Sequence, residues 1–446
     1  MASIRRSPHV RVGLLALATG AALLAPVPAA QAVVATTLAY VPNLGADTVS
    51  VVDTASNTVT ATVPVGANPL AVAVNRAGTR AYVSNFNSGS VSVIDTATNS
   101  VTATVGVGAG AAGMAVNRAG TKVYVANQNA RTVSVIDAAA NTVTATVAVG
   151  GGPLGMALNP AGTRAYVTNA GPPSVSVIDT ATDTVTATVA VSGGPRGVAV
   201  NPAGTKVYTA DHGSGTVSVI DTATNTVTAT IPTAAFPQRL AFTPDGSRAY
   251  LTHDFGSTVS VIDTTTNTVL TTIDGFARPT GVAVNATGTL AYISNRGVDT
   301  VSVVDTTTNA ITATIAGFAI PFDLALNGIP PYAFTGFLAP VANPPAVNTW
   351  NARRPVPIRF SLGGDQSLDI LAANAPASQQ VNCTTAEPIG PSEETVTVGG
   401  SRLAYDPTTE SYIYVWKPDP AWAGTCRALL LTLNDDSTHI ARFQFS

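Results

Sequence analysis

The most reactive side chains of this sequence lie in two adjacent pairs, Asp211-His212 and His253-Asp254, which fall 42 residues apart with their order reversed. Imidazole beside carboxylate can hold a divalent ion or move a proton, because histidine titrates near neutrality. Arg196, Gln238, Arg239 and Asp323 add two guanidinium groups suited to an anion and a carboxylate to balance them. The reversal of order between the two pairs satisfies no metal-ligand spacing rule, so no metal site is expected. The chain has no G-x-S-x-G elbow and no H-E-x-x-H helix, which removes the nucleophilic and zinc-hydrolase templates. No catalytic residue and no cofactor are assigned. The eight residues are read as a ligand-binding set, against the plainer alternative of drift on a solvated face with Arg239 and Asp323 as a weak screened pair.

These residues are set in a repeat. Tyr40, Tyr82, Tyr124, Tyr166, Tyr208, Tyr250 and Tyr292 follow one another at intervals of 42 residues, and so do Asp53, Asp95, Asp137, Asp179, Asp221, Asp263 and Asp305. Each copy has four short β-prone runs, for example Gly197 to Val200, Val207 to Ala210, Val217 to Ile220 and Thr226 to Ile231, and no segment has helical periodicity. Four strands in about 40–45 residues is the pattern of propeller blades, and seven copies predict seven blades. The small residues Ala71, Gly113, Gly155, Gly197 and Gly281 open the first run, which lies innermost where blades crowd the axis. The repeated aspartates, each opening an Asp-Thr-Ala-Thr-Asn kind of turn, and Gly78, Gly120, Gly162, Gly204, Gly246 and Gly288 read as turn residues. Gly108-Ala109-Gly110-Ala111-Ala112-Gly113 satisfies G-x-G-x-x-G, but it leads into a strand and carries no dinucleotide reading.

Ring closure follows from where the pattern begins and ends. The first copy starts at a second strand, Leu38 to Val41, and Phe322 to Leu326 supplies the missing first strand after the seventh copy. Second strands end in Asn43, Asn85, Asn127, Asn169 and Asn295, but in Asp211-His212 and His253-Asp254 in two adjacent copies. Arg239 and Asp323 replace the small residues of the first run, with Arg196 and Gln238 beside them. Second-strand ends and interblade connections share one propeller face, so all eight residues are expected around one lopsided polar funnel.

Composition bounds the partners. Arg5, Arg6 and Arg11, the apolar stretch Val12 to Val27 and Ala30-Gln31-Ala32 predict a signal peptide over residues 1–32, with no transmembrane segment after its cleavage. Formal net charge is −3, and losing the three leader arginines takes it to −6; with no basic run, nucleic acid is not expected as a partner. All four Glu, all three Trp and both Cys lie beyond residue 349, which places a domain boundary near residue 332, at Ile329-Pro330-Pro331. Two cysteines in an exported domain predict one disulfide, Cys383 to Cys426.

Tyr166-Val167-Thr168-Asn169 spells the motif that names the YVTN β-propeller family, with Tyr82-Val83-Ser84-Asn85 and Tyr124-Val125-Ala126-Asn127 as close variants. The chain resembles that family over about two thirds of its length, which implies an exported or surface-displayed propeller and no shared catalytic residue. From Phe334 onward, Phe337-Leu338-Ala339-Pro340, Asn343-Pro344-Pro345, Pro357-Ile358-Arg359-Phe360 and Trp422-Ala423-Gly424-Thr425-Cys426 resemble a PxKF-type domain, with Arg359 in place of that motif's lysine. The resemblance implies a small β-sandwich appended to secreted proteins. The propeller segment has no Glu, Cys or Trp, so it departs from lactonase-type, streptogramin-lyase-type and quinoprotein-type enzymes, which use glutamate or tryptophan.

The sequence therefore predicts an all-β chain: signal peptide 1–32, seven-bladed propeller 33–332, and an Ig-like β-sandwich 333–446. Its expected role is a secreted or cell-surface scaffold whose propeller face binds a protein or glycan, including an envelope-associated one. The alternatives are a small-ligand hydrolase or lyase acting at the funnel, with His212 or His253 as acid or base, and a structural envelope-layer component.

Overall fold

The computed structural model describes residues 37–327, 334–362, 370–371, 375–397, 403–433 and 438–446. The expected signal peptide and the Ile329-Pro330-Pro331 boundary lie outside them.

Seven consecutive four-stranded antiparallel sheets form the blades of a seven-bladed propeller. Blade 5 is representative: Pro195–Val200 innermost, then Lys206–Asp211, Thr216–Asp221 and Thr226–Pro232. The first three strands begin one or two residues before the runs read from sequence, because backbone pairing extends past the apolar stretch into Pro195, Lys206 and Thr216, and the outer strand begins at Thr226 as expected. The second and third strands carry β-branched residues on both faces and are buried on both, since each blade packs against two neighbours; Val217, Val219 and Ile220 are fully buried. The outer strand turns its threonines to solvent and buries only Ile231 near its end. Each repeated tyrosine lies in a core between blades, as Tyr208 does against Leu240 and Leu251 of blade 6.

The turns behave as the repeat requires. Asp221 Oδ1 accepts the backbone N–H groups of Ala223 and Thr224 at 3.0 and 2.9 Å, and Asn225 closes the turn at φ 53°. The six other aspartates accept the same pair of bonds. At the axis, a Cβ on Gly113 would lie 2.1 Å from the Leu154 carbonyl oxygen of the next blade, so the inner strands approach too closely for a side chain there.

Blade 1 is sewn from both ends of the repeat. Its second, third and outer strands are Leu38–Asn43, Thr48–Asp53 and Thr58–Pro64, and its inner strand is Ala325–Leu326. That closing strand is shorter than the Phe322-to-Leu326 run expected; toward its start only an isolated Asn43–Pro321 bridge forms.

The C-terminal described residues form two five-stranded sheets. Phe360, Tyr412 and Trp416 of one sheet and Leu429, Leu431, Phe443 and Phe445 of the other share a single core, which makes a sandwich. Cys383 and Cys426 are joined by a disulfide, the pairing expected from the sequence. Among the described residues no helix is long and apolar enough to cross a membrane.

Candidate functional site

In five blades the second strand ends in an asparagine whose Nδ2 donates to a serine of the third strand, as Asn43 does to Ser50 at 2.9 Å. Asp211 and His253 occupy that position in blades 5 and 6 and make the equivalent bonds: Ser218 Oγ donates to Asp211 Oδ2 at 2.6 Å, and His253 Nε2 lies 2.8 Å from Ser260 Oγ. Both side chains are buried inside their blades. Burial pushes the Asp211 carboxyl up to about 6, against the hydroxyl bonds from Ser218, Thr209 and Thr216. Burial likewise holds the His253 imidazole below its ordinary value.

One residue further along, the chain leaves the sheet and side chains turn to the propeller face. This repeat position holds Leu44, Phe86, Gln128 and Ala170 in blades 1 to 4, but His212, Asp254 and Arg296 in blades 5 to 7. Asp254 is fully buried, and Arg296 Nη2 grips both its oxygens, at 2.9 Å from Oδ1 and 3.0 Å from Oδ2. Arg196 Nη1 and Arg278 Nε each stand 3.8 Å from the same carboxylate. Three guanidinium groups thus surround one carboxylate, which leaves excess positive charge on a protein whose net charge is negative. Burial, followed by the neighbouring Arg296, lowers the Arg196 pKa even though Asp254 opposes the shift.

The interblade loops add an aromatic surface. At the position where Asn68, Gly110, Gly152 and Gly194 adopt positive φ, the chain places Phe236 (φ 59°), Arg278 (φ 51°) and Ile320 (φ 53°). Phe255, also at positive φ (64°), is 59% exposed. Bulky side chains in the left-handed region cost free energy that asparagine or glycine would avoid, and such strain gathers at functional surfaces. Phe236 and Phe255 meet edge-on with centroids 5.6 Å apart, Arg278 lies 4.4 Å above the Phe255 ring, and His212 sits 5.2 Å from Phe236. Burial and Arg196 push the His212 imidazole down to about 4, so it is neutral at pH 7.

Toward the axis, Arg196 Nη1 donates to Gln238 Oε1 at 3.1 Å. Arg239 of blade 6 reaches past Gly281 of blade 7 to Asp323, which precedes the closing strand of blade 1, with Nη2 to Oδ2 at 3.4 Å. Asp323 is buried, and that burial raises its pKa while Arg239 opposes the rise. A cavity of about 260 Å³ opens beside these groups, lined by Arg196, Gln238 and Arg239 on one side and by residues including Leu70, Leu154 and Phe322 on the other.

Of the eight residues singled out in the sequence, Arg196, His212, Gln238 and Asp254 form one contiguous cluster, and Arg239 pairs with Asp323 on the axis beside it. Asp211 and His253 are held in the blade interiors. Sequence reading passed over Phe236, Phe255, Arg278 and Arg296. The signal was present: Arg296 shares its repeat position with His212 and Asp254, and Phe236 and Arg278 stand where other copies have asparagine or glycine. Among the described residues, no three His, Cys, Asp or Glu side chains gather in a set that could hold a metal ion.

Several solved structures share this fold. The chain is similar to hydrazine synthase from Kuenenia stuttgartiensis, at 24% identity over 56% of this chain and 86% of that one, with a TM-score of 0.53. It is also similar to a functionally unknown protein from Desulfotomaculum acetoxidans, at 15% identity over 65% of this chain and 98% of that one, TM-score 0.58. A protein from Lactobacillus plantarum aligns at 18% identity over 65% of this chain and 99% of that one, TM-score 0.57. At such identities the likeness extends to fold alone. No family model and no curated protein matches the sequence.

Proposed function

We propose that this is an exported scaffold protein of the YVTN type whose propeller face, at blades 5 to 7, docks a protein or glycan of the cell envelope. Residues 1–32 act as its signal peptide, residues 33–332 as the propeller, and residues 333–446 as a PxKF-type attachment or spacer domain. The observation that carries this reading is the asymmetry of the face. Seven near-identical copies expose a guanidinium and phenylalanine cluster in three adjacent blades only, and arginine and aromatic residues are the side chains most enriched in binding hot spots. The disulfide and the lack of a membrane-spanning helix among the described residues are compatible with an extracellular location.

Co-sedimentation of the purified protein with the producing cell's envelope fraction tests the reading. Retention that weakens as salt rises is the expected result, because the face is cationic. A protein that stays in the supernatant at low salt would send the search to soluble ligands. The enzymatic alternative has one supporting feature, His212 Nε2, which is buried beside Arg196 without a hydrogen-bond partner among the described residues. An imidazole held down to about 4 is too weakly basic to make an effective general base at neutral pH.

A further inference from the structure

The axial cavity is divided by chemistry in a way the docking face does not require. One wall comes from blades 1 to 4 and is mostly apolar, with Leu44, Leu70, Phe86, Ala112 and Leu154 interrupted by Asn68 and Gln128, and it is closed by Phe322. The opposite wall is Arg196, Gln238 and Arg239.

The charges on that polar wall are not equivalent. Arg239 is neutralised by Asp323. Both oxygens of Asp254 are taken by Arg296, which leaves Arg196 at 3.8 Å from that carboxylate, beyond hydrogen-bond reach. A guanidinium has five N–H donors, and among the described residues that of Arg196 donates one hydrogen bond, to Gln238. Its side chain is 37% exposed and lines the cavity. The cavity therefore offers a forked cation with donors to spare, facing an apolar wall across a space of about 260 Å³.

Forked N–H donors match a carboxylate bidentately, and an aliphatic wall rewards the burial of a hydrocarbon body. Pockets for drug-sized ligands begin at about 300 Å³, so a fragment-sized occupant fits. We infer that the axial cavity is a binding site for a small amphipathic carboxylate, its head on Arg196 and its apolar body against Leu70, Leu154 and Phe322.

Isothermal titration calorimetry on the full chain, with octanoate as probe, tests this directly. Acetate supplies the charge without the body, octan-1-ol the body without the charge, and inorganic phosphate a second guanidinium-binding anion without the body. The expected result is saturable one-site binding of octanoate, at least tenfold tighter than acetate, octanol or phosphate. Arg196→Gln should weaken octanoate at least tenfold and leave octanol within about twofold, while Arg196→Lys keeps part of the affinity. Absence of saturation by octanoate, equal binding of octanol, or an Arg196→Gln variant that binds octanoate like wild type would each overturn the assignment. The exposed pair Phe255 and Arg278 lies outside the cavity lining, so Phe255→Ala/Arg278→Ala should leave octanoate binding unchanged even if it abolishes envelope docking.

Discussion

Arg296 Nη2 lies 2.9 Å from Asp254 Oδ1, and the two residues occupy the same repeat position in neighbouring blades, 42 residues apart. Where other blades place Leu44, Phe86 or Ala170, these two build an ion pair from one copy to the next. The pair anchors the polar cluster of blades 5 to 7, because Asp254 also holds Arg196 and Arg278 within 3.8 Å.

Removing that carboxylate should therefore be costly out of proportion to its size. Asp254→Asn leaves three guanidinium groups facing one another, two of them well exposed, and is expected to destabilise the propeller by about 2 kcal/mol at low salt. Because the residual repulsion is screened, the loss should shrink in about 0.5 M salt. Urea unfolding at both ionic strengths measures this, and a loss that does not change with salt would mean that packing, not charge, dominates.

Asp211 makes the opposite case. Its carboxyl is buried and raised from the ordinary aspartate value to about 6, so folding opposes its ionisation. In the window from about 4 to 6 the folded state holds the proton that the unfolded state has lost, and stability falls as pH rises through it. Asp211→Asn restores the residue of five other blades and removes that cost. The variant is expected to gain about 3 kcal/mol at pH 7 and little below pH ~3.8, where the side chain is largely neutral in both states. Thermal unfolding at pH 7 and pH 3.5 distinguishes this from a gain independent of pH.

The closing blade should be the weakest. At one second-strand position, Arg80, Lys122, Arg164, Lys206 and Arg248 each donate to a turn carbonyl of the next blade, 58 residues on. Leu38 and Leu290 take that position at the two junctions of blade 1, and neither side chain can donate. With an inner strand of only Ala325–Leu326 as well, blade 1 is expected to open locally before any other. Hydrogen exchange should be faster in Leu38–Asn43 than in the second strands of the other blades; uniform protection would contradict it.

How much of this was legible in the sequence depends on the kind of residue. Blade count and turn aspartates follow from rules that every copy obeys, the crowded small residues from a rule that five copies keep, and the two-ended blade from where the repeat starts and stops; such regularities are readable from one chain. The site depends on departures from those rules, and a departure does not announce which way its side chain points. Asp211 and His212 are adjacent, yet strand alternation and the end of the sheet send one into the blade core and the other to the face. Arg278 and Phe236 were missed because nothing in their side-chain chemistry marks a left-handed backbone; only the asparagine and glycines of the other copies do.

The proposed docking face on blades 5 to 7 can be tested at a single repeat position. Asn87 and Asn129 stand in blades 2 and 3 where Phe255 stands in blade 6, and all three are exposed. Envelope co-sedimentation would compare wild type, Phe255→Ala/Arg278→Ala and Asn87→Ala/Asn129→Ala at one salt concentration. Wild type and the asparagine variant are expected to be retained alike, and the Phe255/Arg278 variant to lose about thirtyfold in apparent affinity, the scale of one hot spot. Equal retention of all three proteins, or an equal loss in both variants, would contradict it.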